Sequence, residues 1–229
     1  MKEITAQRTR EIVTYVRVKA DDLEGKIIKT QDEIFAELND CIDEIAKETF
    51  CHSVPDITTP LVPDQTDYVL INVLDTPQTI LRIKQIRIIN PDKSLSKPLV
   101  PIPQNVYNMY SSQTGIYMPK FYYFDGQTIF IWKPYSQKGY QINIVCDRVP
   151  TESEYAGYDA DPVIPILYDK YLKYGTLYRL GSSINSLSEK LNIPFFESEY
   201  RKFKTAKIAN FTTEPEHIPF NELNLPKVK

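Results

Sequence analysis

The chain has 229 residues, 42% hydrophobic and 25% charged, a length and balance that exclude wholesale disorder and a disulfide-stapled miniprotein. With 27 Lys and Arg against 30 Asp and Glu, the net charge of −3 supplies no global pull toward nucleic acid or an anionic membrane, so a histone-like role is excluded. Glycine is scarce, 7 residues against 17 prolines and 16 tyrosines, a profile that disfavours phosphate-cradling glycine loops.

Residues 1–29 carry Ile12, Val13, Tyr15 and Val16 on one stripe of a first predicted helix. Thr30 followed by Glu33 is a capping box, and Ile34, Phe35, Leu38, Ile42, Ile45, Ala46 and Phe50 keep helical spacing behind it. The opposite face of this second helix bears Asp32, Glu33, Glu37, Asp40, Asp43, Glu44 and Glu48 against Lys47 alone, a local charge of −6. Such a face is either solvated or meets a basic partner.

Pro55, Pro60 and Pro63 then break the helical pattern, and a β-rich middle begins at Tyr68–Val73. Ile80–Ile89 alternates apolar residues with Arg82, Lys84, Gln85 and Arg87, as a strand with one wet face does. Residues 98–115 read as a loop with one helical turn around Val106–Tyr110. Phe121–Phe124, Asp125-Gly126 and Thr128–Trp132 predict a hairpin in which Asp-Gly supplies the positive φ angles of a type I′ turn. Gln141–Cys146 follows a Gly139 turn, so the middle predicts an antiparallel sandwich or small barrel.

Helical signals return after an acidic loop. Pro165 and Gly181 bracket a helix with a stripe of Leu167, Tyr171, Tyr174 and Tyr178. The polar linker SSINSLSEK leads to a last helix with Phe196, Tyr200, Phe203 and Ala206 on one side. Residues 165–210 sum to +4, a basic complement to the second helix, in contact within one chain or between neighbours. The tail, TTEPEHIPFNELNLPKVK, spaces single apolar residues between Pro and Asn and reads as a frayed end or as an arm docking extended on a partner.

Chemistry-bearing constellations are sparse. Cys41, Cys51 and Cys146 form no CxxC, and with no signal-peptide-like start the reading predicts free thiols in a reducing compartment. The two histidines, His52 and His217, cannot build a His-rich metal site, and adjacent Cys51 and His52 point apart at a helix end. No common nucleotide-binding or hydrolase motif occurs, so no catalytic, cofactor or metal residue is expected. The carboxylate pairs Asp21-Asp22 and Asp159 with Asp161 read as solvated surface groups, and no apolar run approaches the ~20 residues of a membrane span. The aromatic run Phe121–Phe124 with Phe130, Trp132 and Tyr135 could stack on bases, but only Lys120 and Lys133 flank it, which favours a sheet core or protein interface.

The stretch Pro119–Pro150, with its strand, Gly turn and two strands ending at Pro134 and Pro150, resembles the head-tail adaptor (connector) proteins of tailed bacteriophages. The Tyr-rich helix YDKYLKYGTLYRLGSS, the later helix with Tyr200 and Phe203, and the acidic helix Gln31–Phe50 extend the likeness over most of residues 10–210. The implied fold is α+β: a helical bundle built from residues 1–54 and 151–211, interrupted by a β-rich insertion over 55–150 and followed by an extended arm, 212–229.

The resemblance implies a non-enzymatic virion protein, made in the host bacterial cytoplasm and placed at the head-tail junction. It implies a ring of about twelve copies that binds the portal protein and an adjacent tail or neck ring protein, with DNA passing through without specific binding. By position, Ile218, Phe220, Leu223 and Leu225 become portal-binding arm anchors, and Tyr123, Asp125, Gly126 and Gln127 a tail-facing hairpin. Glu37, Asp40, Glu44, Arg201 and Lys204 become subunit-interface residues. The alternatives are a nucleic-acid-binding module using the aromatic hairpin and the basic strand Arg82, Lys84 and Arg87, another neck or tail ring protein, or an enzyme using Cys51.

Overall fold

The computed structural model describes residues 3–28, 30–62, 65–69, 80–111, 119–126, 128–131 and 139–205. The fold is α+β, in two compact units: one from the described residues of Met1–His52 and Val149–Thr212, the other from those of Ser53–Arg148. The expected arm, with Ile218, Phe220, Leu223 and Leu225, lies outside the described residues, as do Gln127, Trp132, Tyr135, Ala206 and His217.

In the helical unit, α1 (Gln7–Lys19) buries Ile12, Val13 and Val16. Its N-cap, Ala6, has no side-chain acceptor, and the vacant amide of Thr9 is taken instead by the Asp161 carboxylate at 2.9 Å. α2 (Gln31–Thr49) starts where the Thr30 hydroxyl accepts from the Glu33 amide at 3.3 Å and stops at Phe50, in the left-handed region with φ 52°. Between the two helices one expectation fails: Asp22 is buried, not solvated. Its carboxylate accepts from the amides of Ile27 and Ile28, both at 2.8 Å, and faces Arg17 at 3.4 Å, so it organises the loop that returns the chain to α2.

A 3-10 turn over Ile166–Tyr168 leads into α4 (Asp169–Ser183), which two glycines let neighbours approach. Gly181 does not end this helix: it lies inside it, and a Cβ there would collide with Ile193. Nor is the predicted tyrosine stripe the buried face. Leu172, Gly175, Thr176, Leu177 and Leu180 are buried, whereas Tyr171, Tyr174 and Tyr178 are half-buried and Leu167 is exposed. The wide tyrosine rings flank the contact, leaving close packing to the small and aliphatic residues. The polar linker contains a short helix, α5 (Asn185–Ser188), anchored by buried Leu187, and α6 (Ile193–Arg201) follows with Phe196 and Tyr200 buried. A 3-10 turn, Lys202–Lys204, ends the described chain with Phe203 buried. α4 is the central helix, packed by α1, α2 and α6.

The β unit holds two sheets on one apolar core. The first has strand order β1-β7-β3, from β1 (Ser53–Pro60), β7 (Gln141–Arg148) and β3 (Ile80–Ile89), all antiparallel. The second has order β2-β6-β5-β4, from β2 (Asp67–Val69), β6 (Thr128–Ile131), β5 (Phe121–Phe124) and β4 (Val100–Pro101), and is mixed because β4 runs parallel to β5. Ile86, Ile88, Ile142 and Ile144 of one sheet and Ile129, Ile131 and Tyr122 of the other fill the shared interior.

Three local expectations are corrected here. The proline-rich start is a strand: β1 sits at a sheet edge, and its register shift between Val54 and Ile57 absorbs Pro55. The stretch read as a loop with one turn contains an eight-residue helix, α3 (Gln104–Ser111), whose Val106 packs with Ile102 and Phe121. Finally, Asp125 does not adopt positive φ; only Gly126 does, at 102°, and the Asp125 carboxylate accepts from the Thr128 amide at 2.7 Å, so aspartate precedes the turn instead of forming it.

Candidate assembly interface

The acidic face of α2 finds its cations inside the same chain. Glu44 is the centre: its carboxylate accepts from Arg201 of α6 at 2.5 Å, from Arg179 of α4 at 2.9 Å and from the Tyr200 hydroxyl at 2.9 Å. Arg179 also reaches Asp40 at 3.4 Å, and Lys204 reaches Glu48 at 3.1 Å. Asp43 accepts from the Tyr155 hydroxyl at 2.8 Å and faces Lys47 at 3.5 Å. Helical periodicity puts these carboxylates on one side of α2, and the packing of α4 and α6 on that helix carries the guanidinium groups to them.

Burial alone would raise the Glu44 carboxyl, but the hydrogen bonds from Tyr200 and Arg179 and the charges of Arg201 and Arg179 outweigh it and hold the group below its ordinary value. Glu37 moves the other way. Burial raises it more than Arg179 lowers it, and Asp40 adds to the rise. Glu37 lines an open groove of about 400 Å3 together with Glu44, Tyr178, Arg179, Ser182 and Arg201. Of the five interface residues proposed from sequence, Glu44, Arg201, Lys204 and Asp40 therefore take part in ion pairs within the chain, Asp40 with its side chain still exposed, and Glu37 stands at the groove. Arg179, which no motif singled out, joins them as the cation shared by Asp40 and Glu44.

In the β unit, Tyr123 stacks on Phe130 with centroids 5.6 Å apart, and Tyr107 of α3 covers both at 6.2 and 5.8 Å. Half-buried rings packed on one another are the sheet's own, while the hairpin tip is open, with nothing within 4 Å of a Cβ built at Gly126. Two of the three cations on the basic strand are already engaged. Fully buried Asp147 accepts from Arg82 at 2.8 Å and pairs with Lys84 at 2.8 Å.

Reactive-thiol chemistry has little footing. Cys41, Cys51 and Cys146 are buried and none is in a disulfide, and burial pushes the Cys41 thiol up to about 12 and the Cys146 thiol up to about 11, away from the nucleophilic thiolate. His52 is buried with its Nε2 3.6 Å from Glu154. Among the described residues no His, Cys, Asp and Glu group could hold a metal ion, and no helix is long and apolar enough to cross a membrane.

Against known proteins, a family model described as SU10 adaptor protein matches residues 8–207, a span that takes in both compact units. No curated protein matches the chain.

Proposed function

The chain belongs to the SU10 adaptor protein family, with the structural role in a phage virion that this family implies, and on that premise we propose that it forms the head-tail adaptor ring that binds the portal protein and joins capsid to tail around the DNA channel. The observation that carries this reading is the unbroken family match over residues 8–207, which includes the acidic helix, the aromatic hairpin and the tyrosine-rich helix alike.

In this reading the ring has about twelve copies in a closed cyclic arrangement, each contacting the next through unlike faces. Glu37, Asp40, Glu44, Arg201 and Lys204 lie at the contact between copies, where the Glu44 network bridges α2, α4 and α6. The arm residues Ile218, Phe220, Leu223 and Leu225 fill pockets on the portal, each apolar anchor gaining about 25 cal/mol per Å2 buried before ordering costs. The hairpin residues Tyr123, Asp125, Gly126 and Gln127 face the adjacent tail or neck ring protein. The role is structural and DNA passes without specific binding, in keeping with the net charge of −3.

Mass photometry of the chain, alone and mixed with its cognate portal ring, tests this. The expected result is a portal particle heavier by about twelve chains, the closed-ring stoichiometry. A portal ring whose mass does not change overturns the portal-adaptor reading.

A further inference from the structure

A second charged surface of the helical unit is untouched by the Glu44 network. Tyr15 of α1 and Tyr174 of α4 meet edge to face with centroids 6.3 Å apart. Three lysines lie over this pair: Lys173 and Lys19 stand 5.5 and 5.9 Å from the Tyr15 ring centre, and Lys170 stands 5.6 Å from that of Tyr174. Phe195, 48% exposed, extends the aromatic surface at 6.2 Å from Tyr174.

The lysines differ in their partners. Lys170 shares Glu199 with Lys202, whereas Lys19 and Lys173 have no carboxylate at ion-pair distance among the described residues. Two ammonium groups near one ring repel each other as well as being drawn to it, and an arriving carboxylate relieves that repulsion.

The same unit carries the complement. The first half of α2 presents Asp32, Glu33, Glu37 and Asp40, of which, among the described residues, Asp40 alone reaches a cation at ion-pair distance, Arg179 at 3.4 Å, which it shares with Glu44. Glu37 stands at an open groove with its carboxyl raised by burial, a group that an incoming ammonium would satisfy. A polyanion such as DNA fits the lysine surface less well, because Glu11 lies one turn before Tyr15 on α1 and Glu199 sits beside Lys170.

We infer that the surface formed by Tyr15, Lys19, Lys173 and Tyr174 docks Glu37 and Asp40 of a second copy of this chain, head to tail, so that every copy uses both faces. A contact between two different faces is the kind that closes rings. The inference rests on the adaptor-ring reading and specifies which surfaces meet.

The test mixes isotope-labelled and unlabelled full-length chain, free at low ionic strength and on the portal ring, and links ammonium to carboxylate groups with a zero-length carbodiimide reagent. Labelled-to-unlabelled links joining Lys19 or Lys173 to Glu37 or Asp40 are expected. Inter-copy association should fall about tenfold in Lys19→Glu/Lys173→Glu and return when Glu37→Lys/Asp40→Lys is added to the same chain. Circular dichroism confirms that each variant is folded. Inter-copy links confined to other residues overturn this contact and leave the ring standing. Absence of any inter-copy link, free or on the portal, overturns this contact, while the ring itself stands or falls on the mass of the loaded portal.

Discussion

Gly175 of α4 lies so close to Tyr200 of α6 that a Cβ on it would stand 2.7 Å from the tyrosine ring, and equally 2.7 Å from the Cys41 sulfur of α2. Three helices therefore meet at one hydrogen atom. Gly175→Ala gains about 1 kcal/mol in helix propensity but forces the ring and the thiol apart, an overpacking cost of about 1–3 kcal/mol. The expected outcome is net destabilisation, read as a lower urea midpoint of the helical transition. An unchanged or higher midpoint would show that Tyr200 can move aside freely.

Asp22 has the same kind of position with charge in place of bulk. It is buried against Arg17, itself buried, and accepts the Ile27 and Ile28 amides. Asp22→Ala leaves a buried guanidinium without its counter-charge and two amides without their acceptor, at a cost of about 3–5 kcal/mol. Asp22→Asn keeps an acceptor oxygen and should cost less. Thermal melts of the two variants check the order; equal melting temperatures would contradict the structural role.

These sites mark where the sequence could and could not be read. Ile80–Ile89 and the hairpin were legible because a run of isoleucines interspersed with polar residues and a turn glycine are local signals, and α2 because its cap and apolar stripe lie within one segment. β1 was hidden by Pro55 and Pro60, which an edge strand with a register shift tolerates but a central strand would not. The buried face of α4 was hidden because Gly181 reads as a helix end, while inside the helix its missing side chain makes room for Ile193 of α6, as that of Gly175 makes room for Cys41 of α2 and Tyr200 of α6. Charge complementarity of α2 with the later helices was visible as −6 against +4. That Glu44, Arg179 and Arg201 meet within one chain was not, since pairing across more than a hundred residues depends on packing that no local pattern encodes.

The α2 carboxylates give a pH test with two opposite signs. Glu44 is held below its ordinary value of 4.5, so its contribution to stability is present above that value and is lost as pH falls through the folded-state pKa. Glu44→Gln should therefore destabilise at neutral pH, with the difference from the native protein shrinking in acid. Glu37 is raised, so its ionisation in the fold is a penalty that vanishes as pH falls below 4.5. Glu37→Gln should stabilise the isolated chain at neutral pH and leave it unchanged in acid. Urea midpoints at several pH values between about 3 and 7 check both, across the ordinary carboxylate range; parallel behaviour of the two variants would refute the assignment.

In the β unit, Asp147 is fully buried on β7 between Arg82 and Lys84 of the neighbouring strand β3, at 2.8 Å from each. A buried carboxylate with two partners is costly to break from one side only. Asp147→Leu alone strands two cations against the sheet and should cost about 3–5 kcal/mol, whereas Asp147→Leu combined with Arg82→Leu and Lys84→Leu removes the charges together and should recover most of that loss. The single and triple variants are compared on the cooperative unfolding of the β unit by near-ultraviolet circular dichroism. A triple variant less stable than Asp147→Leu would show that Arg82 and Lys84 hold the sheet through contacts other than Asp147, and would return them to consideration as a surface for an anionic partner.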